Sequence, residues 1–252
     1  MATYQLRPMS VGEILDGSLT VLRQHFGLFF ALAVISLGVP TVIDLYTTLS
    51  GEPNVGMSLL ARLLRAVGYL LLSGASVYVV SEAYLQRTPQ LGPALRFAGG
   101  RMGGVFISGF AAGLVTLLAT IALIVPGIIV ACGYAVTVQV VMLESLPSAT
   151  DSLGRSWALT KGFKGKAFLL YLVMFLLFFC VLFGLAIVVG IAAATAPMLI
   201  IPATILMAVL LLFVYPFTSC VLTLFYYDLR VRKEALDLEL LGQQIGLSQT
   251  GS

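Results

Sequence analysis

Charge is scarce in this chain of 252 residues, of which 10% are Asp, Glu, Lys or Arg and 60% are hydrophobic. A soluble domain usually has about 25% charged residues and about 45–50% apolar residues. The chain therefore has too little charge to cover a globule in water, and a lipid environment fits its composition better. The small net charge of +3 gives no indication of nucleic-acid binding.

Histidine and cysteine are also few, and their scarcity argues against most catalytic sites. The chain has one histidine, His25, and three cysteines, Cys132, Cys180 and Cys220. An odd number of cysteines without C-x-x-C spacing predicts neither a disulfide framework nor a zinc site. A single histidine cannot supply paired metal ligands, and no Walker loop is present. We therefore expect no enzyme activity, no cofactor and no metal.

Long uncharged segments indicate that the chain crosses a membrane as helices. Residues 102–143 and 167–227 contain no charged side chain. A transmembrane helix needs about 20 apolar residues, so the second segment is long enough to cross and fold back. A transmembrane β-barrel would instead need alternating polar and apolar residues, and these segments show no such alternation.

Apolar stretches and the breaks between them predict an all-α, polytopic membrane protein with six transmembrane helices in three hairpins. Pro126 and Gly127 separate the third span from the fourth. In the third span, Gly109 and Gly113 have the spacing of a close helix-packing motif. We place the spans at 26–47, 63–84, 104–125, 128–146, 167–192 and 198–226, within one membrane domain over 1–241 that is followed by a disordered tail, 242–252.

The distribution of basic residues predicts the orientation of these spans. With six spans, only Arg62 and Arg65 of the 14 Lys and Arg residues fall on one side of the membrane. Cytoplasmic loops carry the excess of Lys and Arg in membrane proteins. The opposite side, which includes the N- and C-termini, is therefore predicted to be cytoplasmic.

Each hairpin is preceded by an amphipathic segment on the predicted cytoplasmic side. The first is an interfacial helix over 9–24, and similar segments cover 89–101 and 147–161. Such helices lie in the headgroup plane with their apolar face towards the acyl chains. Two interpretations remain open: the segments anchor and orient the spans, or they form a platform for a protein partner or for lipid headgroups.

Few polar side chains fall within or beside the predicted spans. Asp44 closes the first span on the outer side, and Arg62 and Arg65 open the second, so we expect Asp44 to pair with one of them. Gln139 lies inside the fourth span. These four residues line a polar vestibule or pathway in one interpretation. In the other, they form an interfacial ion pair and a hydrogen bond between helices.

Three cations follow the last predicted span closely. Arg230, Arg232 and Lys233 lie just beyond the aromatic pair Tyr226 and Tyr227. Basic residues at this depth attract anionic headgroups by about 1 kcal/mol each. We therefore predict that these three residues contact lipid headgroups.

Four motifs together resemble a family of bacterial membrane proteins named for the membrane domain of glycerophosphoryl diester phosphodiesterases. The resemblance implies a protein of the bacterial cytoplasmic (inner) membrane. The activity in the family's name belongs to a separate barrel domain, which needs paired histidines and carboxylates, and this chain has only one histidine. The resemblance thus covers the membrane portion and implies no functional residues. The motifs are Leu6-Arg-Pro-Met-Ser-Val-Gly-Glu-Ile-Leu-Asp16, Val125-Pro-Gly-Ile128, Ser156-Trp-Ala-Leu-Thr-Lys-Gly162 and Tyr226-Tyr-Asp-Leu-Arg-Val-Arg-Lys-Glu234.

The sequence therefore predicts a non-catalytic membrane protein that acts as a scaffold, an anchor or a lipid-interacting module. Its expected partners are membrane lipids and a protein at the cytoplasmic face, with no nucleic acid. The alternative is a transporter or channel for a small or lipid-like molecule. A continuous polar cavity that joins Asp44 and Arg62 or Arg65 to Gln139 would favour that alternative.

Overall fold

The computed structural model describes residues 7–50, 54–195 and 200–234. This part of the chain is all-α, as predicted. The predicted tail, 242–252, lies outside the described residues. The helices are α1 (Val11–Gln24), α2 (Phe26–Ser50), α3 (Val55–Tyr84), α4 (Leu91–Ala122), α5 (Ile124–Gly133), α6 (Thr137–Leu143), α7 (Asp151–Thr160), α8 (Lys164–Thr195) and α9 (Ile200–Glu234).

Five stretches of these helices are long and apolar enough to cross a membrane, which is the pattern of a multi-pass membrane protein. The sixth predicted span, 198–226, begins outside the described residues and continues into α9, a helix of 35 residues. The arrangement of six spans in three hairpins therefore remains a prediction. The five stretches are Phe26–Thr47, Val55–Tyr84, Leu91–Ala122, Ile124–Leu143 and Lys164–Ile191.

The predicted interfacial helix 9–24 corresponds to α1, which covers Val11–Gln24 and starts with a capping box. The Ser10 hydroxyl accepts a hydrogen bond from Glu13 N (3.3 Å), and Glu13 Oε2 accepts one from Ser10 N (2.6 Å). On the apolar face of α1, Ile14 and Val21 are fully buried, whereas Leu19 is exposed. The helix packs mainly against α9, so protein covers much of the surface that we expected to rest on lipid.

The second amphipathic segment, 89–101, is not a separate helix. It continues without a break into the third predicted span, 104–125, and the helix α4 contains most of both. Each glycine in a helix interior costs about 1 kcal/mol relative to alanine, and Gly103 and Gly104 lie at the predicted boundary. Burial of Ala94, Ala98 and Val105 along the same helix holds it continuous across these glycines.

The turn between α4 and α5 falls at Leu123 and not at Pro126-Gly127. Leu123 adopts an extended conformation (φ −162°, ψ 143°), and Pro126 lies in the first turn of α5. Proline is tolerated there because the first N–H groups of a helix have no partner within it. Gly127 has a packing role instead, since a Cβ atom there would lie 2.8 Å from Thr120 Cα of α4.

The fourth predicted span, 128–146, is not one continuous helix. It is interrupted between Gly133, the last residue of α5, and Thr137, the first residue of α6. The third amphipathic segment, 147–161, contains α7, which packs against both sides of this interruption. No proline marks the break, so its cause lies in the contacts of α7 that are described below.

The core lies at one end of the bundle. Along α3 most buried residues lie between Leu72 and Tyr84, whereas Leu59 and Leu63 are exposed. In α9 the buried residues extend from Pro216 to Val231. The core end also carries the ion pairs of Arg155, Lys166, Arg230 and Arg232. The opposite halves of the long helices present exposed apolar side chains such as Phe110, Leu118, Ile121, Phe175, Phe179 and Phe183.

Candidate functional site

A buried carboxylate, Asp228 of α9, joins three separate parts of the chain at the core end. It is fully buried and accepts hydrogen bonds from Met9 N (2.7 Å), Lys166 Nζ (2.5 Å) and Arg232 Nε (2.9 Å). Lys166 and Arg232 also donate to the Met9 carbonyl, at 2.5 Å and 2.9 Å. A buried charge is tolerated only when it is paired and hydrogen-bonded. This Asp228 cluster thus fixes the segment before α1 to α8 and α9.

A second group of side chains forms a closed ring of polar contacts. Arg155 Nε donates to Glu144 Oε2 (2.7 Å), and Arg155 Nη2 lies 2.5 Å from Glu234 Oε1. Arg230 Nε donates to Glu234 Oε2 (2.7 Å), and Arg230 Nη1 donates to the Tyr226 hydroxyl (3.4 Å). Tyr226 then donates to Glu144 Oε1 (2.9 Å) and completes the ring. The ring connects α7 and the residue after α6 to α9.

The ring also sets the protonation of one of its carboxylates. Burial raises the pKa of Glu234, but hydrogen bonds from Arg230 and Arg155 outweigh it and bring the pKa below its ordinary value. Glu234 is therefore ionised at neutral pH and retains both arginine contacts.

The three cations predicted to contact lipid headgroups each bind groups within the protein. Arg230 pairs with Glu234, and Arg232 pairs with Asp228. Lys233 Nζ donates to the Ala158 carbonyl of α7. These contacts position the end of α9. They do not favour binding of lipid headgroups by the three cations, which stays a prediction.

Side chains of α7 satisfy the backbone groups that the break between α5 and α6 leaves free. The Gly133 carbonyl accepts hydrogen bonds from Ser156 Oγ (3.0 Å) and Thr160 Oγ1 (3.0 Å). Ser156 Oγ also accepts one from Val136 N (3.3 Å). The Trp157 ring lies against Gly133, where a Cβ atom would be 2.2 Å from Trp157 Cε3. The motif Ser156-Trp-Ala-Leu-Thr160 therefore stabilises an interrupted membrane helix.

An open cleft of about 440 Å³ lies between α4, α5 and α8. One of its lining residues, Tyr134, packs against Trp157 with 5.8 Å between ring centroids. Lys164 Nζ lies 3.2 Å from the centroid of the Trp157 ring. Within the described ranges, Lys164 forms no ion pair with a carboxylate. The lining residues are Ala112, Gly113, Thr116, Leu117, Thr120, Ala131, Tyr134 and Tyr171.

Arg65 makes the expected ion pair with Asp44, on the neighbouring helix. Arg62 is exposed. Neither Asp44 nor Arg65 lines either of the two cavities described for this protein. The predicted vestibule at these residues thus remains a prediction.

Gln139 lies at a second, smaller cavity of about 200 Å³ between α3, α6 and α9. Its side chain is buried, with 2% of the residue exposed, and its Oε1 has no hydrogen-bond partner among the described residues. The opposite wall includes Tyr69, whose hydroxyl donates to that of Tyr215 (2.8 Å). The lining of this cavity includes Tyr69, one helical turn from Arg65, but neither Asp44 nor Arg65. The predicted path from the cavity to the outer ion pair therefore stays a prediction.

The described part of the chain contains no group of three or more His, Cys, Asp or Glu residues that could hold a metal. Cys132 and Cys220 are buried thiols, and Cys180 is an exposed one. Desolvation lowers the pKa of His25 below its ordinary value. That side chain is therefore neutral at pH 7.

No protein-family model, curated protein or solved structure matches this chain. The resemblance to the membrane domain of glycerophosphoryl diester phosphodiesterases therefore remains a prediction. Two of the motifs quoted for it meet in the structure, because the backbone of Met9 binds Asp228 and Arg232. Sequence reasoning missed this cluster, although a carboxylate that directly follows a membrane span is a signal that could have pointed to it.

Proposed function

We propose that this protein is a non-enzymatic module of the bacterial inner membrane that binds lipid in the cleft between α4, α5 and α8. In this proposal the chain crosses the membrane six times, with both termini in the cytoplasm. The observation that carries the proposal is the cleft itself, which is open, is about 440 Å³ in volume and lies between apolar helices.

The exposed surfaces of α4 and α8 support lipid as the surrounding medium. In each of these two helices, only 11% of the apolar stretch is buried within the protein. Phe175, Phe179 and Phe183 of α8 stack in succession and are all exposed. Apolar surfaces of this extent mark membrane or protein interaction sites. Inside a bilayer, acyl chains are the default contact for such helices.

The charge at one end of the cleft supports an anionic lipid. Tyr134 lines the cleft and packs against Trp157, and the ammonium group of Lys164 lies over the Trp157 ring. Aromatic rings and basic side chains are the residues that anchor proteins at the headgroup level. A phosphate beside Lys164 would place its acyl chain along α8 and into the cleft.

The experiment is lipid mass spectrometry on the protein purified in native-lipid particles. We expect enrichment of an anionic phospholipid over the bulk membrane, by about five-fold, because one headgroup contact contributes about 1 kcal/mol. Lys164→Gln should reduce that enrichment. Arg87→Gln is the matched control, since Arg87 is an exposed cation at the predicted cytoplasmic side and is not among the residues that line the cleft.

Two outcomes would refute lipid binding at the cleft. One is a lipid composition equal to the bulk membrane in the unaltered protein. The other is an enrichment that Lys164→Gln and Arg87→Gln reduce equally. A protein recovered in fixed ratio, without an enriched lipid, would support the scaffold instead.

A transporter or channel is the second candidate, and the cavity beside Gln139 is the observation that favours it. Transport sites lie near the bilayer midplane and are formed at interrupted helices, and α6 begins at such an interruption. The cavity does not reach the Asp44–Arg65 pair, so it supports binding more directly than conduction.

A further inference from the structure

We propose that the cavity between α3, α6 and α9 binds a small, uncharged molecule with an apolar body and one hydrogen-bond donor. Molecules of the size of phenol or indole have this chemistry. This site is separate from the lipid cleft, because the two cavities share no lining residue. The inference therefore stands or fails independently of lipid binding.

The amide oxygen of Gln139 supplies the recognition element. Gln139 is 2% exposed and its Oε1 accepts no hydrogen bond from any described residue. A buried acceptor without a donor is unfavourable, and a ligand that brings a donor removes that penalty. The unpartnered oxygen thus favours a ligand with an O–H or N–H group.

The other hydroxyls around the cavity are largely occupied. Thr218 donates to the Val214 carbonyl (3.0 Å), and Ser219 donates to the Ser73 carbonyl (3.3 Å). In the Tyr69–Tyr215 pair, one hydroxyl donates to the other, so one O–H proton remains for a further acceptor.

The small number of free polar groups argues against a cavity filled with water. A buried water typically makes about three hydrogen bonds to polar groups. Gln139 Oε1 and the remaining tyrosine proton satisfy on the order of one water in a cavity of about 200 Å³. A dry cavity of about 150 Å³ holds a benzene molecule. The volume therefore fits one ring of that size with a polar substituent.

The absence of charge around the cavity selects a neutral ligand. Its described lining contains no Asp, Glu, Lys or Arg. A charged ligand would need a counter-charge in such a site. The nearby Asp44 and Arg65 form an ion pair with each other and are not among the lining residues.

The test uses 4-fluorophenol and fluorobenzene, which have similar size, and only the first has a hydrogen-bond donor. Binding to the full chain in lipid nanodiscs is followed by ¹⁹F NMR, with protein-free nanodiscs to subtract partitioning. We expect saturable binding of 4-fluorophenol that is roughly ten-fold tighter than that of fluorobenzene, as one hydrogen bond provides. Gln139→Leu should abolish this difference.

Two further variants locate the site. Ala135→Leu fills the cavity from its wall and should weaken binding of both probes. Thr116→Val changes a hydroxyl of the other cleft and should leave both affinities unchanged. If Gln139→Leu does not fold, Gln139→Met replaces it, and the comparison of probes on the unaltered chain is decisive in any case.

The proposal is overturned if the two probes bind the unaltered protein equally, or if neither binds above the protein-free nanodiscs. Water or lipid alone would then occupy the cavity. A loss of binding in Thr116→Val that matches the loss in Ala135→Leu would also overturn it, because the probes would then occupy the other cleft.

Discussion

At the scale of single residues, the Asp228 carboxylate is a buried charge that needs partners within the protein. Its charge is fully buried and depends on Lys166, Arg232 and the Met9 amide. Removal of one partner from a buried ion pair leaves an uncompensated charge, which is more costly than loss of the whole pair. The stability of the core end should therefore be sensitive to either cation.

Lys166→Met tests this dependence. We expect it to lower the free energy of unfolding by about 3 kcal/mol, at the lower end for a broken buried pair because Arg232 remains. Denaturant titration in detergent micelles, followed by circular dichroism, measures the change. The control Arg87→Gln removes an exposed cation and should change stability by less than about 1 kcal/mol. A loss for Lys166→Met no greater than that of the control would contradict the role of the cluster.

Glu13 gives a prediction about pH. A hydrogen bond from the Ser10 backbone, helped by the Ser10 hydroxyl and by Arg7, lowers the pKa of Glu13 to about 2 from an ordinary 4.5. Because the folded-state pKa is depressed, the capping box stabilises α1 above about pH 4.5, and this contribution is lost as the pH falls towards 2. NMR titration of the Glu13 carboxyl carbon should find the low midpoint.

Ser10→Ala is the variant that assigns the cause. It removes the hydroxyl and retains the backbone donor, so the midpoint should rise only part of the way to 4.5. A midpoint near 4.5 in the unaltered chain would show that the capping box does not form.

At the scale of helices, close approach depends on glycines that the sequence pattern did not single out. The spacing of Gly109 and Gly113 predicts a packing interface, yet a Cβ atom at either position has no neighbour within 4 Å in the described structure. Gly68 of α3 has the packing role instead, since a Cβ there would lie 2.1 Å from the Ser36 carbonyl oxygen of α2. Spacing alone does not say which face of a helix meets another.

Alanine at these two positions should therefore have opposite effects. Gly68→Ala forces α2 and α3 apart and should lower stability by about 1–3 kcal/mol, as overpacking does. Gly109→Ala adds a side chain in open space and should be neutral or stabilise α4 by up to about 1 kcal/mol. Thermal unfolding in micelles distinguishes them. Equal effects would mean that the approach of α2 to α3 is looser than described.

The helices themselves followed from hydropathy and amphipathic spacing, whereas the interruption between α5 and α6 did not. Apolar content predicted the membrane stretches, and the spacing of apolar residues predicted α1. The break is stabilised by Ser156 and Thr160, which come more than twenty residues later in the chain. Local pattern cannot reveal such a partner. The position of Asp228 directly after a predicted span is a local signal, but its partners Met9 and Lys166 are distant in sequence and could not be identified in the same way.

At the scale of the whole molecule, polar contacts gather at one end and apolar surface at the other. The predicted orientation places the polar end in the cytoplasm, because it carries most of the basic residues. The sequence placed Gln139 in the fourth predicted span, and it lies in the apolar stretch Ile124–Leu143, which is long enough to cross a membrane. Its cavity depends on α3 and α9 together. Only the assembled bundle shows that neither Asp44 nor Arg65 lines this cavity.

Cysteine labelling tests the orientation. In a background without Cys132, Cys180 and Cys220, we expect Ser50→Cys to react with a membrane-impermeant maleimide in intact cells. Gly165→Cys, an exposed position at the start of α8, should react only after permeabilisation. Labelling of Gly165→Cys in intact cells would reverse the proposed topology, and with it the headgroup role of Lys164.

The link between Met9 and Asp228 also bears on the order of synthesis. The two residues are 219 positions apart, and ribosomes add about 5–20 residues per second. About 10–40 s therefore pass between the synthesis of Met9 and that of Asp228. During that interval the helices made before Asp228 can enter the bilayer while the segment at Met9 still lacks this partner, so the contact forms only after Asp228 has been synthesised.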